Sequence, residues 1–430
     1  MNPADIAGVF DGMEETALPL LFRLLPKELA AETFVEMDPE AQELLIHGFS
    51  DSELHEVLNE LYVDDAVDIV EEMPANVVRR ILRQADPQMR KEINEILRYP
   101  ENSAGSIMTT EYVSLRPEMT VEEAILRIRR TGVDKETIYT CYVLDKNRLL
   151  LGMLSVKDLL LAKDDEEKVS EIMETNVISV MTHSDQEEVA RMLSKYNFLA
   201  LPVTDAEGRM VGIVTFDDAM DVMEDEATED MEIMGGMTPS DKTYLRSNVF
   251  DLFLHRIPWL LLLMVSATFT GMIITGFESA LAAQVALTAF IPMLMDTGGN
   301  SGSQSSVTII RALSLGELEF ADLPRVIWKE LRTAAFCGSV LAVACFGKIM
   351  LVDRLLMHNN EVTITVAAVV CITMVLTVMV AKLIGCSLPM IAKKLGFDPA
   401  VMASPFITTI VDALSLLVYF GIANALLIRT

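Results

Sequence analysis

Cysteine is scarce in this 430-residue chain, and its placement excludes several classes of site. Only five cysteines occur. They form no Cys-x-x-Cys pair and no cysteine–histidine spacing typical of metal ligands, and no disulfide framework is indicated. The sequence also lacks a phosphate-binding P-loop, which argues against energy coupling, and a nucleophile–base pair, which argues against an enzyme.

Basic residues are few relative to acidic ones, and the imbalance lies in one part of the chain. Residues 1–250 carry 52 Asp and Glu against 23 Lys and Arg, whereas residues 251–430 carry 11 of each. The whole net charge of −29 therefore belongs to the first part. Such an acidic body repels nucleic acid and attracts cations, although solubility alone would also explain it. We expect no nucleic-acid partner.

The first hundred residues have a helical apolar period that is broken repeatedly. A proline is predicted to open a new short helix at four positions: Pro26, Pro39, Pro74 and Pro87. The pieces at 25–32, 37–44 and 73–80 look like degenerate copies of one helical-hairpin unit. We therefore expect residues 1–100 to form an acidic helical N-domain of the α-solenoid type.

A clearer internal repeat follows. Ile107-Met108 recurs 65 residues later as Ile172-Met173, and the segment 151–158 recurs 60 residues later as 211–218. Each copy predicts a strand, a helix, a strand, a glycine turn, a strand and a helix. The ending hydrophobic-Gly-hydrophobic-hydrophobic-Ser/Thr-x-x-Asp occurs in both copies.

This repeat resembles a pair of cystathionine-β-synthase (CBS) domains, which are regulatory modules. The resemblance implies an α/β pair with its first unit at 101–165 and its second at 166–228. Because some CBS pairs bind adenine nucleotides, ATP as a modulator at this pair stays open. A polar connecting segment at 229–256 is predicted to be helical after Pro239.

Long apolar runs fill the rest of the chain, 257–430. Each of five runs is long enough to cross a hydrocarbon core of ~30 Å. They are approximately 257–276, 283–312, 330–352, 362–390 and 400–427. The N-terminus lacks the basic and apolar regions of a signal peptide, so we expect a cytosolic N-terminal part. Basic residues concentrate in the second and fourth connections, as the positive-inside rule requires, and five spans put the C-terminus outside. We expect a multi-pass protein of the cell membrane.

Two of these runs contain polar residues that hydrocarbon does not tolerate without a protein or water environment. The second is polar from Asp296 to Ser306, including Gly298, Gly299, Asn300 and Gln304. Small residues also allow close helix packing, which is a second interpretation for the glycines but not for Asn300 and Gln304.

The fifth run carries a polar stripe. Ser404, Thr408 and Asp412 are spaced four residues apart, which places them on one face of a helix. A lone carboxylate at membrane depth costs on the order of 3 kcal/mol, and a passing cation would offset that cost. A hydrogen bond to a neighbouring helix is the alternative.

Oxygen donors without a thiolate or imidazole cluster are typical of sites for hard cations. Mg²⁺ releases its water reluctantly, so a ring of oxygens can recognise the hydrated ion. This reasoning ranks Mg²⁺ first and leaves another divalent cation, such as Co²⁺, as an alternative. A membrane-anchored CBS sensor that does not transport is a further alternative, but it leaves the polar second and fifth runs unexplained.

The motif Pro292-x-x-x-Asp296-x-Gly-Gly-Asn300-x-Gly302-x-Gln304-Ser305 resembles the signature of the MgtE family of magnesium channels. So does the last span, with Asp398-Pro399-Ala400, Pro405, Thr409 and Asp412. The order of helical N-domain, CBS pair, connecting (plug) helix and five-helix membrane domain matches as well.

The resemblance implies a homodimer with a pore on its two-fold axis, and no obligate partner of another kind. It implies that Asp412 selects the ion and that Thr408 and Ser404 line the pore. It further implies closure by cytosolic Mg²⁺ bound at acidic interfaces. The candidate regulatory ligands by motif position are Asp205, Glu207, Asp217, Asp241 and Asp398.

Overall fold

The computed structural model describes residues 1–10, 13, 16–240, 244, 247–359 and 361–428. The chain divides into two compact units, Met1–Glu224 and Asp225–Thr430. The multi-domain architecture expected from the sequence is confirmed, with an N-terminal helical part, a repeated α/β pair and a C-terminal helical region.

The first part of unit 1 consists of short helices. They are α1 (Pro3–Phe10), α2 (Leu18–Phe22), α3 (Lys27–Val35), α4 (Pro39–Gly48), α5 (Asp51–Leu58), α6 (Val63–Glu72), α7 (Ala75–Gln84) and α8 (Pro87–Ile96). The four predicted proline starts are confirmed: Pro26 and Pro74 are the N-caps of α3 and α7, and Pro39 and Pro87 are the first residues of α4 and α8. Proline suits these positions because an N-terminal N–H has no helical partner to lose.

The CBS pair contains two small sheets of identical topology. Its elements are β1 (Tyr112–Leu115), α9 (Val121–Thr131), β2 (Thr137–Leu144), β3 (Leu150–Ser155), α10 (Val156–Leu160), α11 (Val169–Ile172), β4 (Val180–Met181), α12 (Gln186–Tyr196), β5 (Ala200–Thr204), β6 (Met210–Thr215) and α13 (Phe216–Met234). In each sheet the first strand is parallel to the second, which is antiparallel to the third.

The two CBS units exchange their leading segments. Thr109, which precedes β1, pairs with Ile213 of the second sheet, and Glu174, which precedes β4, pairs with Met153 of the first. The repeated glycines allow this approach. A β-carbon on Gly212 would lie 2.6 Å from the Thr109 carbonyl oxygen.

The connecting segment differs from the prediction. The segment was predicted to be helical after Pro239, but α13 continues from β6 to Met234 and the next helix begins only at Val249. The residues described between them are not helical. Gly236 has a left-handed backbone conformation (φ +72°). Glycine adopts this conformation readily, and it commonly occurs where a helix ends. Asn248 then caps the next helix through its side chain.

Six helices make up most of unit 2: α14 (Val249–Gly276), α15 (Glu278–Ala283), α16 (Ile291–Ser314), α17 (Leu323–Lys348), α18 (Ile364–Lys394) and α19 (Ser404–Ala423). Within the described residues, four helical stretches are long and apolar enough to cross a membrane, and they contain α14, α17, α18 and α19. The 24-residue α16 is long enough to span, at ~36 Å. Its polar run keeps it out of that set.

Glycine allows α16 to lie very close to two neighbouring helices. A β-carbon on Gly298 would lie 2.7 Å from Thr377 Cγ2 of α18 and 2.9 Å from Ser415 Oγ of α19. One on Gly385 of α18 would lie 2.3 Å from the carbonyl oxygen of Gly302. The most polar helix is therefore packed tightly against α18 and α19.

Candidate functional site

A line of polar side chains follows the exposed face of α16. Asp296, Asn300 and Gln304 are spaced four residues apart, and all three are exposed. On a helix this spacing keeps residues on one face. The sequence indicated a polar segment from Asp296 to Ser306, and the structure places these three of its residues on one exposed face. We call them the α16 stripe.

Two polar residues of α19 lie beside this stripe. A β-carbon on Gly299 would be 2.9 Å from Thr408 Cγ2, so the two helices touch there. Asp296 and Asp412 are close enough for their negative charges to act on each other. Thr408 and Asp412 are half-buried and one helical turn apart. The structure thus brings together residues that are more than a hundred positions apart in sequence.

The hydroxyl of Thr408 retains its acceptor capacity. Thr408 Oγ1 donates to the Pro405 carbonyl oxygen at 2.9 Å, and Thr409 Oγ1 donates to the same oxygen at 3.0 Å. A hydroxyl that donates to its own helix still has lone pairs for a cation or its water. Ser404 is the first residue of α19, and its side chain lies outside the described part of the chain.

The glycines of the motif have a packing role in this chain. Gly298 faces α18 and α19, and Gly299 faces Thr408. The second interpretation of these glycines, close helix packing, is therefore the one that the geometry supports. These glycines determine the distance between α19 and the α16 stripe.

The stripe and its neighbours supply oxygen atoms but no dense ligand cage. Across the described residues, no three or more His, Cys, Asp or Glu side chains are arranged to hold a metal ion. The site has two carboxylates (Asp296 and Asp412), two amides (Asn300 and Gln304) and the Thr408 hydroxyl. Such a set is better suited to binding a hydrated cation through its water molecules than to coordinating a bare ion directly.

A second charged feature lies in unit 1, where α6 approaches the CBS pair. Its carboxylates act on one another electrostatically. We call it the acidic cluster: Asp64, Asp65, Glu111, Glu136, Asp217 and Asp218. Glu111 accepts a hydrogen bond from the Val63 backbone N–H at 3.0 Å, which joins the start of α6 to the CBS pair.

Burial and mutual repulsion perturb these carboxylates. Burial, with the charge of Asp218, raises the pKa of Asp65 to about 7. Burial, with the charge of Asp65, raises the pKa of Glu136 to about 8. Burial also raises the pKa of Asp218 to about 6, although a hydrogen bond from Thr215 opposes the shift. The ionised cluster is therefore costly until protons or cations reach it.

The predicted regulatory residues fall in different places. Asp217 is an exposed member of the acidic cluster. Asp205 and Glu207 lie in the β5–β6 turn, where Asp205 Oδ1 accepts from the backbone N–H groups of Glu207 and Arg209 at 3.0 and 2.8 Å. Asp145, its counterpart in the first repeat, makes the same two bonds. Asp205 therefore has a turn-forming role. Asp241 lies outside the described residues.

Asp398 caps the turn that leads into α19. Its Oδ1 accepts from the Ala400 backbone N–H at 2.7 Å. Asp230, near the end of α13, accepts a hydrogen bond from Ser314 Oγ at 3.2 Å. Burial raises the pKa of Asp230, and the negative charge of Asp398 adds to the shift. Two carboxylates thus repel each other where α13 meets the start of α19.

Sequence reasoning missed several of these groups. Asp64, Asp65, Asp218 and Glu136 resemble ordinary surface acids in the sequence, and so does Asp230. Only the fold brings the first four together, and only the fold brings Asp230 near Asp398. It also missed a buried ion pair within unit 2, Lys382 Nζ to Glu330 Oε2 at 3.6 Å. One signal was available, since Lys382 interrupts an otherwise apolar run.

Models of known families match most of the chain. A model described as the MgtE intracellular N domain matches residues 1–102, and the CBS domain model matches 104–165 and 169–225. A model described as a divalent cation transporter, MgtE, matches 291–422. The chain is 39% identical to the magnesium transporter MgtE of Thermus thermophilus, over 99% of this chain and 93% of that protein.

The chain belongs to the MgtE family. The magnesium transporter MgtE of Bacillus subtilis is 34% identical over 99% of this chain and 92% of its own length. Members of the MgtE family are transporters and not enzymes. The assignment confirms the resemblance noted from the motifs and favours transport over an anchored sensor.

A solved structure of an MgtE protein resembles unit 1. It is the cytosolic domain of the Mg²⁺ channel MgtE in complex with ATP, with a TM-score of 0.50 and 42% identity. The match covers 52% of this chain and 90% of that one. The cytosolic fold of an MgtE protein is therefore present here.

Proposed function

We propose that this MgtE protein is a passive, Mg²⁺-selective channel for magnesium uptake, closed by cytosolic Mg²⁺. The observation that carries the proposal is the meeting of the α16 stripe with Thr408 and Asp412 of α19. Carboxylates at membrane depth need a cation or a polar path. A divalent ion entering a cell gains ~4.6 kcal/mol per 100 mV of membrane potential, so no energy source besides the potential is required.

The choice of Mg²⁺ follows from the ligand chemistry and the relatives. The oxygens beside Asp412 suit a hydrated hard cation. Proteins similar to this one are named magnesium transporters. A channel for another divalent cation, such as Co²⁺, remains the second candidate because the family model describes divalent cations in general.

The exposure of the α16 stripe supports a homodimer. In a single chain Asp296, Asn300 and Gln304 are uncovered, and lipid is an unfavourable neighbour for all three. A second copy that faces the stripe would enclose a water-filled path between the chains. The positive-inside rule supports a cytosolic N-terminus and an external C-terminus.

Closure by Mg²⁺ is supported by the acidic cluster. Its carboxylates repel one another across the boundary between α6 and the CBS pair. Divalent ions that bridge them would draw the two surfaces together. We propose Asp217 as one of the ligands, with Asp205 and Glu207 contributing from the β5–β6 turn. Asp241 of the connecting segment and Asp398 are proposed as further ligands.

The end of α13 offers a route from the sensor to the pore. Ile233 and Met234 pack with Ala400 and Ala403, which immediately precede α19. Asp230 and Asp398 repel each other at the same place. A movement of α13 would therefore act directly on the start of the helix that carries Asp412.

ATP is proposed as a modulator at the first CBS unit. A cavity of about 380 Å³ there is lined by four basic side chains, Arg116, Arg127, Lys135 and Arg148. Such a lining suits phosphate groups. The similar cytosolic domain crystallised with ATP supports the same assignment. We expect Arg148→Ala to weaken ATP binding at least tenfold, measured by calorimetry, and unchanged binding would contradict the site.

Mg²⁺ current through the purified protein in bilayers tests the main proposal. With the soluble part bathed in micromolar Mg²⁺, wild-type protein should conduct Mg²⁺ in preference to Co²⁺ and Na⁺. Asp412→Ala should abolish the selectivity. The control is Asp322→Asn, which alters a carboxylate just before α17. Raising Mg²⁺ on the soluble side to about 10 mM, ample for a carboxylate site of low affinity, should close the wild type. Normal Mg²⁺ current in Asp412→Ala would refute the proposal.

A further inference from the structure

Three helices of the membrane unit are joined by one buried polar contact. Ser305 Oγ of α16 donates to Glu330 Oε2 of α17 at 2.6 Å. Lys382 Nζ of α18 donates to the same serine oxygen at 3.1 Å and lies 3.6 Å from the glutamate. The side chains of Lys382 and Glu330 are only 7% and 16% exposed. We call this contact the Ser305 tie.

Stability is a weak reason for such a contact. Removing two charges from water costs several kcal/mol each, and well-packed apolar residues often replace a buried ion pair without loss. A buried ion pair is better suited to selecting one arrangement of the helices.

The arrangement at issue is the rotation of α16 about its own axis. The helix packs against α18 and α19 through Gly298, Gly299 and Gly302, which have no side chains to interlock with a neighbour. Close packing of this kind sets the distance between helices but resists rotation poorly. Ser306 Oγ restrains the helix at one point, since it donates to the Met402 carbonyl oxygen at 2.7 Å. The Ser305 tie adds a second restraint, which holds α16 from two sides.

Rotation of α16 matters because the stripe is on the same helix. Gln304 directly precedes Ser305, and successive residues of a helix differ by about 100° around its axis. When Ser305 points at Glu330 and Lys382, the α16 stripe is turned to the exposed face. A loosened tie would let Asp296, Asn300 and Gln304 swing relative to Asp412.

We propose that Ser305, Glu330 and Lys382 are positioning residues that set ion selectivity by fixing the rotation of α16. This inference rests on the proposed channel function, since it gives the tie a role in the same pathway. None of the three residues needs to contact the ion.

The test replaces Ser305 by alanine in the full-length protein and measures the reversal potential in a gradient of Mg²⁺ against Na⁺. Ser305→Ala leaves Lys382 and Glu330 in place to pair with each other. We expect the Mg²⁺/Na⁺ permeability ratio to fall about tenfold, since small misplacements of polar groups have effects of that order. Thr373→Val is the matched control, because buried Thr373 donates only to Val369 of its own helix. It should leave the ratio unchanged.

A second variant tests whether the loss of selectivity in Ser305→Ala could be due to misfolding. Replacing the pair together, Lys382→Met with Glu330→Leu, should give a folded protein with an unfolding temperature near that of wild type. Its permeability ratio should be as low as that of Ser305→Ala.

The outcomes separate the two proposals. If wild type conducts Mg²⁺ and Asp412→Ala does not, but Ser305→Ala keeps the wild-type reversal potential, the positioning role is refuted alone. A smaller current with an unchanged reversal potential also refutes it, since that shows a general loss of active protein. If wild type conducts no Mg²⁺, the channel itself is refuted and the tie loses its role with it.

Discussion

At the scale of single residues, the acidic cluster makes a prediction about stability. Asp65→Asn removes a carboxylate whose pKa burial and Asp218 raise to about 7. A group with a raised pKa in the folded state stabilises below its unfolded value of about 4, and that stability is lost as the pH rises through about 7. The substitution should therefore stabilise the Mg²⁺-free protein most at about pH 8.5, less at about pH 5.5 and little at about pH 4.

Thermal unfolding of the full-length protein measures this effect. We expect the unfolding temperature of Asp65→Asn to rise by at least about 2 °C at the higher pH, which is ~1 kcal/mol for a unit of this size. Glu122→Gln is the control. Glu122 and Asp65 both lie in the first turn of a helix, α9 and α6 respectively, but Glu122 is exposed and Asp65 is half-buried. Equal shifts for both variants would show that general surface charge, and not the cluster, is responsible.

At the scale of helices, the contact between α16 and α18 predicts unequal effects of glycine substitutions. A β-carbon on Gly385 would lie 2.3 Å from the backbone oxygen of Gly302, which cannot move aside as a flexible side chain can. Gly385→Ala should therefore separate the helices and destabilise unit 2 by ~1–3 kcal/mol. It should also lower Mg²⁺ current, because α16 carries the stripe.

Gly271→Ala and Gly347→Ala are the matched controls. A β-carbon added at either position, on α14 or on α17, would meet no other group within 4 Å. Alanine favours a helix over glycine by up to ~1 kcal/mol, so these variants should be as stable as wild type or slightly more so. Unfolding temperatures in detergent would decide, and a Gly385→Ala protein as stable as its controls would contradict the packing argument.

The sequence predicted features that depend on residues close together in the chain, and it did not predict contacts between residues far apart in the chain. The proline-opened helices and the repeated strand–helix pattern depend on neighbours within a few residues, so they were predicted and confirmed. The helical spacing likewise indicated that Thr408 and Asp412 share a face of α19. The Lys382–Glu330 pair and the acidic cluster depend on residues brought together by the fold, and no local pattern indicates them. The continuation of α13 to Met234 was not predicted, because the connecting segment was expected to be helical only after Pro239.

At the scale of the whole molecule, protons and Mg²⁺ should act on the same carboxylates. Burial and mutual charge raise the pKa of Asp65, Glu136 and Asp218 to about 7, 8 and 6. The nearby charged groups include Asp64, Asp68, Glu111, Asp217, Asp221 and Lys135. At about pH 8.5 these three carboxylates are ionised and repel one another, whereas near pH 5.5 they are mostly protonated and their repulsion weakens. If Mg²⁺ closes the channel by removing that repulsion, acid on the soluble side should close it without Mg²⁺.

Current through the full-length protein measures this closure, with the soluble side free of Mg²⁺ and the pH changed only there. We expect current to fall several-fold from about pH 8.5 to about pH 5.5, with a midpoint near 7, as the raised pKa values require. Asp65→Asn with Glu136→Gln should conduct less at the higher pH and have a smaller pH response, because two of the titrating carboxylates are already neutral while Asp68 and Asp218 still titrate. Glu122→Gln should respond as wild type does. A full pH response in the double variant would place the titrating group elsewhere, with Asp412 as the next residue to test, and would separate proton closure from the acidic cluster.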